Sequence, residues 1–302
     1  MSLKTTYDPG KFALSFELFP PKTADGETAL FAHLVQLVKF GPAFVTCTYG
    51  AGGSTRTKTL EIVEQVKRRF QVLVASHLTC VGSTVDQLRD FLNEAASRGV
   101  DHIVALRGDP PKGETEFVAP EGGLRYANEL VTLIRREFPQ FGVAVAGYPE
   151  KHIEASSLEA DLQNLKRKVD AGADVVVTQL FYDNADFLRF RDRCVQVGIG
   201  VPIVPGILPV TNLSQVQRIT SMCGARLPDD FVSALQAHDN PVGQFQAGVE
   251  HAIRQVRELV QQGVPGIHFY VLNKSQATSW VLAAAESPGD DERRPRSEVP
   301  VS

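Results

Sequence analysis

A carboxylate lies inside the apolar run Leu14-Ser15-Phe16-Glu17-Leu18-Phe19. A charged group in such a run is desolvated unless it is paired or protonated. Burial raises a carboxyl pKa, and a raised carboxyl is the general acid needed near neutral pH. Glu17 is therefore expected to be a proton donor or an ion-pair partner at a cavity mouth. Other apolar runs close on polar groups: Thr48-Tyr49-Gly50, His77-Leu78-Thr79, Arg107-Gly108-Asp109, Tyr148-Pro149-Glu150, Thr178-Gln179, and Tyr270 with Asn273 and Lys274. Gly108 lets backbone approach a ligand, and its flanking charges either pair with each other or bind that ligand. Gln179 offers a neutral donor and acceptor, for a cap or for an amide-like ring edge. Asp161, Asn164 and Lys168 share one helical stripe, either a solvated face or a row of ligand-binding groups. Metal-assisted hydrolysis by His77, Asp109 and His152 is an alternative chemistry, but no HxH or HExxH spacing supports it and no metal is expected.

These groups need a frame, and the apolar periodicity supplies one. Strands are expected at 14–19, 43–49, 72–78, 102–107, 142–148, 175–181, 202–207 and 267–272. Helices are expected between them at 28–38, 57–70, 85–97, 126–137, 158–169 and 185–197, with two more, 213–222 and 243–262, before the last strand and 275–285 after it. Leu158, Leu162, Leu165 and Val169 make the fifth helix amphipathic. Strands that read as continuous apolar runs, each returned by a helix, pair in parallel with both faces covered. Eight such units close into a (β/α)8 TIM barrel, whose chemistry sits at the carboxyl ends of the strands. An open doubly wound sheet is the structural alternative. Its dinucleotide form carries GxGxxG after the first strand, whereas residues 14–21 hold no glycine and Gly50-Ala51-Gly52-Gly53 lacks the spacing.

The 302 residues are 43% apolar, 22% charged and 8% aromatic, which excludes a disordered or fibrous chain. A formal charge of −4 without a basic block gives no reason to expect a nucleic-acid partner. Cys47, Cys80, Cys194 and Cys223 form no CxxC pair, so neither zinc nor a disulfide framework is suggested, and a cytoplasmic location is expected. No apolar run approaches the ~20 residues of a membrane-spanning helix, and no membrane partner is expected. The chain divides into an N-terminal arm at 1–10, one barrel domain at 11–285, and a polar tail at 286–302 expected to be disordered.

Nine blocks stand in order between Leu14 and about Lys274: SFELFPPK, TCTYGAGG, HLTC, HIVALRGDPP, GYPEKH, ADLQNLKRKVDAGAD, TQLFYD, PGILPV and HFYVLN. In them the sequence resembles the flavin-dependent methylenetetrahydrofolate reductases, in the short bacterial form without a regulatory domain. The resemblance implies the same barrel and a ping-pong reaction. FAD takes hydride from NADH or NADPH, the oxidised nicotinamide leaves, and 5,10-methylenetetrahydrofolate is reduced to 5-methyltetrahydrofolate at the same site. It implies that Glu17 protonates the folate N10. It implies that FAD lies against Tyr49, Ala51, His77, Arg107, Gly108, Asp109, Tyr126, Ala127, Tyr148, His152 and Ala155. The FAD ribose and diphosphate would lie on Asp161, Asn164, Arg167 and Lys168. Thr48 would lie near the nicotinamide, and the folate would meet Asp109, Gln179, Gln215, Tyr270 and Lys274. Small-molecule substrates and a homo-oligomer are the implied partners. A non-catalytic flavin- or folate-binding subunit is a further alternative. Two positions depart from the family pattern. Lys274 stands where arginine is usual, which keeps the charge but loses the planar fork, and Gly147 stands where some members have alanine.

Overall fold

The computed structural model describes residues 3–49, 56–110, 113 and 117–286. Its strands are β1 (Ala13–Leu18), β2 (Phe44–Cys47), β3 (Leu73–Thr79), β4 (His102–Leu106), β5 (Gly142–Gly147), β6 (Val175–Thr178), β7 (Ile203–Val204), β8 (Gly206–Ile207) and β9 (Gly266–Tyr270). They form one parallel sheet in the order β7-β6-β5-β4-β3-β2-β1-β9-β8. Because only Pro205 separates β7 from β8, the two ends of this order meet and the sheet closes as the expected barrel. The outer layer is α1 (Ala24–Leu37), α2 (Arg56–Phe70), α3 (Val85–Ser97), α4 (Ala127–Glu137), α5 (Leu158–Asp170), α6 (Asn184–Gln196), α7 (Leu213–Cys223), α8 (Asp229–Gln236), α9 (Pro241–Gln261) and α10 (Gln276–Glu286).

The single strand expected at 202–207 is broken in two. Proline has no N–H to give a ladder, and here the Pro205 carbonyl accepts from His268 N at 3.0 Å while Gly206 N donates to Thr178 Oγ1 at 2.9 Å. Hence β7 pairs with β6 and β8 with β9. Three helices, not two, precede β9; the additional α8 has eight residues and buries Phe231 and Leu235. Helix α1 starts ahead of the expected position because Thr23 caps it, its side chain accepting from Gly26 N. Helix α10 runs through Glu286, the first residue of the expected tail, while 287–302 lie outside the described residues.

Strand alternation sorts the core into two layers. Outward residues such as Phe16, Leu18, Val45, Ile103, Val145 and Phe269 pack under the helices. Inward residues at the amino end, Ala13, Phe44, Ala75, Val104, Ala144, Val175 and Val204, pack with Leu3 and Tyr7 of a short 3-10 helix (Leu3–Tyr7) that plugs the barrel. Toward the carboxyl end the buried inward positions turn polar: Ser15, Glu17, Thr46, His77, Thr79 and His268. Gly147 also finds a reason, since a Cβ there would lie 2.7 Å from Val176 Cγ1 and 2.8 Å from Phe190 Cζ.

Candidate active site

Glu17 of β1 sits between two imidazoles. His77 Nε2 of β3 is 3.2 Å from its Oε2, and His268 Nε2 of β9 is 3.6 Å from the same oxygen. His77 Nε2 makes no well-aligned hydrogen bond at this distance. Strand register makes the arrangement: Ser15 lies opposite His268, and Glu17 lies opposite Tyr270 and Thr46. Ser15 Oγ is 2.7 Å from His268 Nδ1. Phe44 stacks on the His268 ring with centroids 6.4 Å apart, and Tyr270 meets it edge-on at 5.2 Å. Burial pushes the Glu17 carboxyl up, but the charges and contacts of His77 and His268 outweigh it and hold the group down at about 2. This corrects the raised carboxyl expected from the sequence. The local run shows an apolar strand, and the two imidazoles that reverse the effect arrive from other strands.

Around this cluster the loops form a mouth. Tyr49 donates its hydroxyl to Thr79 Oγ1 at 2.9 Å and accepts from Thr79 N, and Thr48 beside it is anchored through its N–H to Leu18 O at 3.0 Å. Arg107 does not pair with Asp109. Its guanidinium grips both carboxylate oxygens of Glu154, at 2.5 and 2.7 Å, while Asp109 is exposed and has no ion pair among the described residues. Gly108 has φ +89°, and a Cβ there would lie 2.7 Å from Val81 Cγ1, so only glycine fits. Tyr126, 58% exposed, and buried Ala127 stand where α4 begins.

The loop after β5 and helix α5 make one bonded group. Tyr148 meets the His152 ring edge-on at 4.6 Å. Asp161 accepts from His152 N at 2.9 Å, and the His152 carbonyl accepts from Ala155 N at 3.0 Å. Lys168 Nζ donates to Ala146 O at 2.5 Å and lies 5.7 Å from the Tyr148 ring centroid. Burial lowers Lys168 to about 8 against the opposing pull of Asp161. Asn164 and Arg167 are exposed on the same helix and joined at 3.1 Å. Ala51 lies outside the described residues.

Gln179 uses its N–H on Gly147 O at 2.8 Å and its side-chain oxygen on Leu180 N at 2.9 Å, the capping arrangement. The Tyr270 hydroxyl donates to Thr178 O at 2.7 Å. Gln215 and Lys274 line a separate cavity of about 760 Å³ with Thr211, Asn212, Arg218 and Phe245. No carboxylate pairs with Lys274 or Arg218 among the described residues, and both are exposed. Asn273 ties this rim to β1, since its side chain accepts from Phe19 N at 2.8 Å and donates to Phe19 O at 2.7 Å. Ser15, His268, Glu154 and Arg218 were not singled out by sequence reasoning. The inward alternation of Ser15 with Glu17 and of His268 with Tyr270 was the available signal for two of them. Among the described residues no group of three or more His, Cys, Asp or Glu is placed to hold a metal.

The family model described as methylenetetrahydrofolate reductase matches residues 2–286. The chain belongs to the methylenetetrahydrofolate reductase family. A 5,10-methylenetetrahydrofolate reductase from Pectobacterium carotovorum subsp. carotovorum is 43% identical over 270 residues, covering 88% of each chain. The one from Escherichia coli (strain K12) is 42% identical over 268 residues, again 88% of each. Methylenetetrahydrofolate reductase (NADH) 1 of Arabidopsis thaliana is 40% identical over 291 residues, which are 93% of this chain and 49% of that one. The chain thus spans about half the length of that plant relative. Among solved structures, a Clostridium thermocellum protein described as binding two copies of 5-methyl-5,6,7,8-tetrahydrofolic acid aligns with a TM-score of 0.65 over 94% of this chain and 98% of its own, at 13% identity. That likeness speaks to the fold alone. Membership of the methylenetetrahydrofolate reductase family favours reductase chemistry over the metal-assisted hydrolysis considered from the sequence.

Proposed function

We propose that this protein reduces 5,10-methylenetetrahydrofolate to 5-methyltetrahydrofolate, with FAD as bound cofactor and NADH or NADPH as reductant in a ping-pong sequence. The observation that carries the reading is a buried carboxylate, Glu17, set between two imidazoles at the mouth of a barrel of this family. The donor set suits FAD. Lys168, Arg167 and Arg107 are cations for a diphosphate, Asn164 and Asp161 are ribose partners, and Tyr148 and the exposed Tyr126 are aromatic faces. When bound, FAD supplies the hydride path from nicotinamide to folate.

The chain's own residues do the rest. Glu17 gives a proton to N10 of the folate, so that the five-membered ring opens to a 5-iminium cation ready for hydride. Asp109 is exposed and unpaired among the described residues, and its negative charge stabilises that cation. The Glu154 clasp on Arg107 holds the guanidinium in a fixed orientation at the rim. Gln179 and Tyr270 border the pterin, and Thr48 the nicotinamide. Lys274 and Gln215 take the folate's carboxylate-bearing tail in their cavity, where lysine acts as a point charge. The apolar plug of Phe44, Val104 and Val175 keeps water from reaching the cluster from below. Cys47, Cys80, Cys194 and Cys223 are all free thiols, which suits a reducing cytoplasm. We place the enzyme there as a homo-oligomer.

The test is direct. Purified protein should be yellow, release FAD and not FMN on denaturation, and oxidise NADH or NADPH in the presence of methylenetetrahydrofolate. A colourless protein that does not bind added FAD sinks the reading.

A further inference from the structure

We propose that Lys151 is a positioning residue for the cofactor: it straps the loop after β5 into a strained turn that presents the His152 ring and, through Glu154, the Arg107 guanidinium to FAD, at a cost to the stability of the fold. The inference rests on FAD lying against this loop, as the functional reading has it. It starts from the backbone. Among the described residues, four that are not glycine have a positive φ: Leu272 at 47°, Gln71 at 54°, Asn273 at 58° and Lys151 at 98°. The first three sit in or at the edge of the small left-handed basin open to any L-residue. Lys151 lies well beyond it, in a region that a Cβ disfavours. Strain of this kind persists only where the surroundings over-determine it, and it gathers at sites that bind ligands.

The surroundings here are a set of bonds closed by the lysine's own ammonium. The Lys151 N–H donates to Tyr148 O at 3.2 Å, and the Ala155 N–H donates to His152 O at 3.0 Å. Lys151 Nζ reaches both ends of that second turn, donating to His152 O at 3.2 Å and to Ala155 O at 2.5 Å. A charged donor makes such bonds roughly twice as strong as neutral ones. Ser157 then caps α5, its side chain accepting from Ala160 N at 3.1 Å, so the strap fixes the loop against the start of that helix.

The groups that depend on this turn belong to the cofactor site. The His152 ring meets Tyr148 edge-on at 4.6 Å, and its backbone N–H is held by Asp161 at 2.9 Å. Glu154 N donates to His152 Nδ1 at 3.1 Å. A backbone N–H can only donate, so Nδ1 is the acceptor and the imidazole proton lies on Nε2. Burial and the Arg107 charge lower the His152 pKa, which favours the neutral ring that this bond requires. Nε2–H is then the donor left for an acceptor atom of the cofactor. The carboxylate of the same Glu154 grips Arg107 with both oxygens. One lysine thus sets the tautomer of a ring and the aim of a guanidinium that come from different loops.

Two variants separate strap from strain. Lys151→Met keeps the Cβ and much of the length but has no donor, whereas Lys151→Gly loses donor and strain together. The measurement is the rate at which diluted holoenzyme releases FAD, followed by the return of flavin fluorescence, beside the urea midpoint of the flavin-free protein. Both variants should release FAD about tenfold faster or more, the loss expected for bonds from a charged group. Lys151→Gly should still have the higher urea midpoint of the two, because it alone is relieved of the strain. Lys151→Arg keeps a charged donor and should stay within about threefold of the unaltered release rate. Release at the unaltered rate in both the methionine and glycine variants overturns the proposal. Release that simply follows the urea midpoint across the series also overturns it, since Lys151 is then a structural tie. So does a glycine variant no more stable than the methionine one. If Lys151→Met fails to fold, a Lys151→Gly enzyme that holds FAD as tightly as the unaltered protein overturns it. Unaltered protein that binds no FAD sinks the functional reading, and this inference with it.

Discussion

Glu17→Gln keeps the shape of the side chain and removes its acid. Protonation of folate N10 has no counterpart in hydride transfer from nicotinamide, so only one half-reaction should suffer. Flavin reduction by NADH should survive within about tenfold, and reoxidation by methylenetetrahydrofolate should fall by the ~10²-fold or more of a lost general acid. Asp109→Asn should slow both steps if, as proposed, its charge acts on cofactor and folate together. Rapid-mixing absorbance distinguishes the two variants, and a Glu17→Gln enzyme that loses the nicotinamide step while keeping the folate step has another role. At this scale the sequence showed which residues stand at strand ends, but not which ones touch. Arg107 and Asp109 are two positions apart and suggested a pair; Arg107 instead reaches Glu154 in the loop after β5. Contacts across the mouth depend on loop paths that no local pattern encodes.

Elements were more legible because their signal is local. Continuous apolar runs returned by amphipathic segments are enough to fix parallel pairing and closure, and the seven other strands match within two residues at each end apart from β6, which stops three residues short at Thr178. The break at Pro205 was written in the sequence as a proline inside a strand. Helix α8 was not legible, being only eight residues long, and it is held by Phe231 and Leu235 in a satellite cluster with Tyr182 and Leu208. Gly147 is the position where element packing makes a measurable demand. Its missing Cβ lets Phe190 of α6 and Val176 of β6 close against β5. Gly147→Ala should overpack this junction and destabilise the fold by about 1–3 kcal/mol. A fall in the urea midpoint with unchanged slope is the expected result, and an unchanged midpoint would mean that Phe190 moves aside without cost.

For the whole molecule, closure is what makes a site from remote pieces. Residues assigned to FAD by resemblance come from β3, from the loops after β2, β4 and β5, from the start of α4 and from along α5, so an unfolded chain presents no such set. A ligand that binds only the folded barrel stabilises it by mass action, about 2.7 kcal/mol at a hundredfold excess over Kd. For a chain of 302 residues, whose unfolding entropy is about 2.1 cal/mol/K per residue, that corresponds to a rise in Tm of about 4 °C. The adenosine half adds atoms that FMN lacks, and Asn164 and Arg167, joined to each other and exposed on α5, are the groups proposed to meet it. Apoprotein titrated with each flavin should therefore gain several degrees with FAD and clearly less with FMN at equal concentration. Asn164→Ala with Arg167→Ala should shrink the FAD shift toward the FMN value and leave the FMN shift unchanged. Equal shifts with the two flavins would place α5 outside the cofactor site.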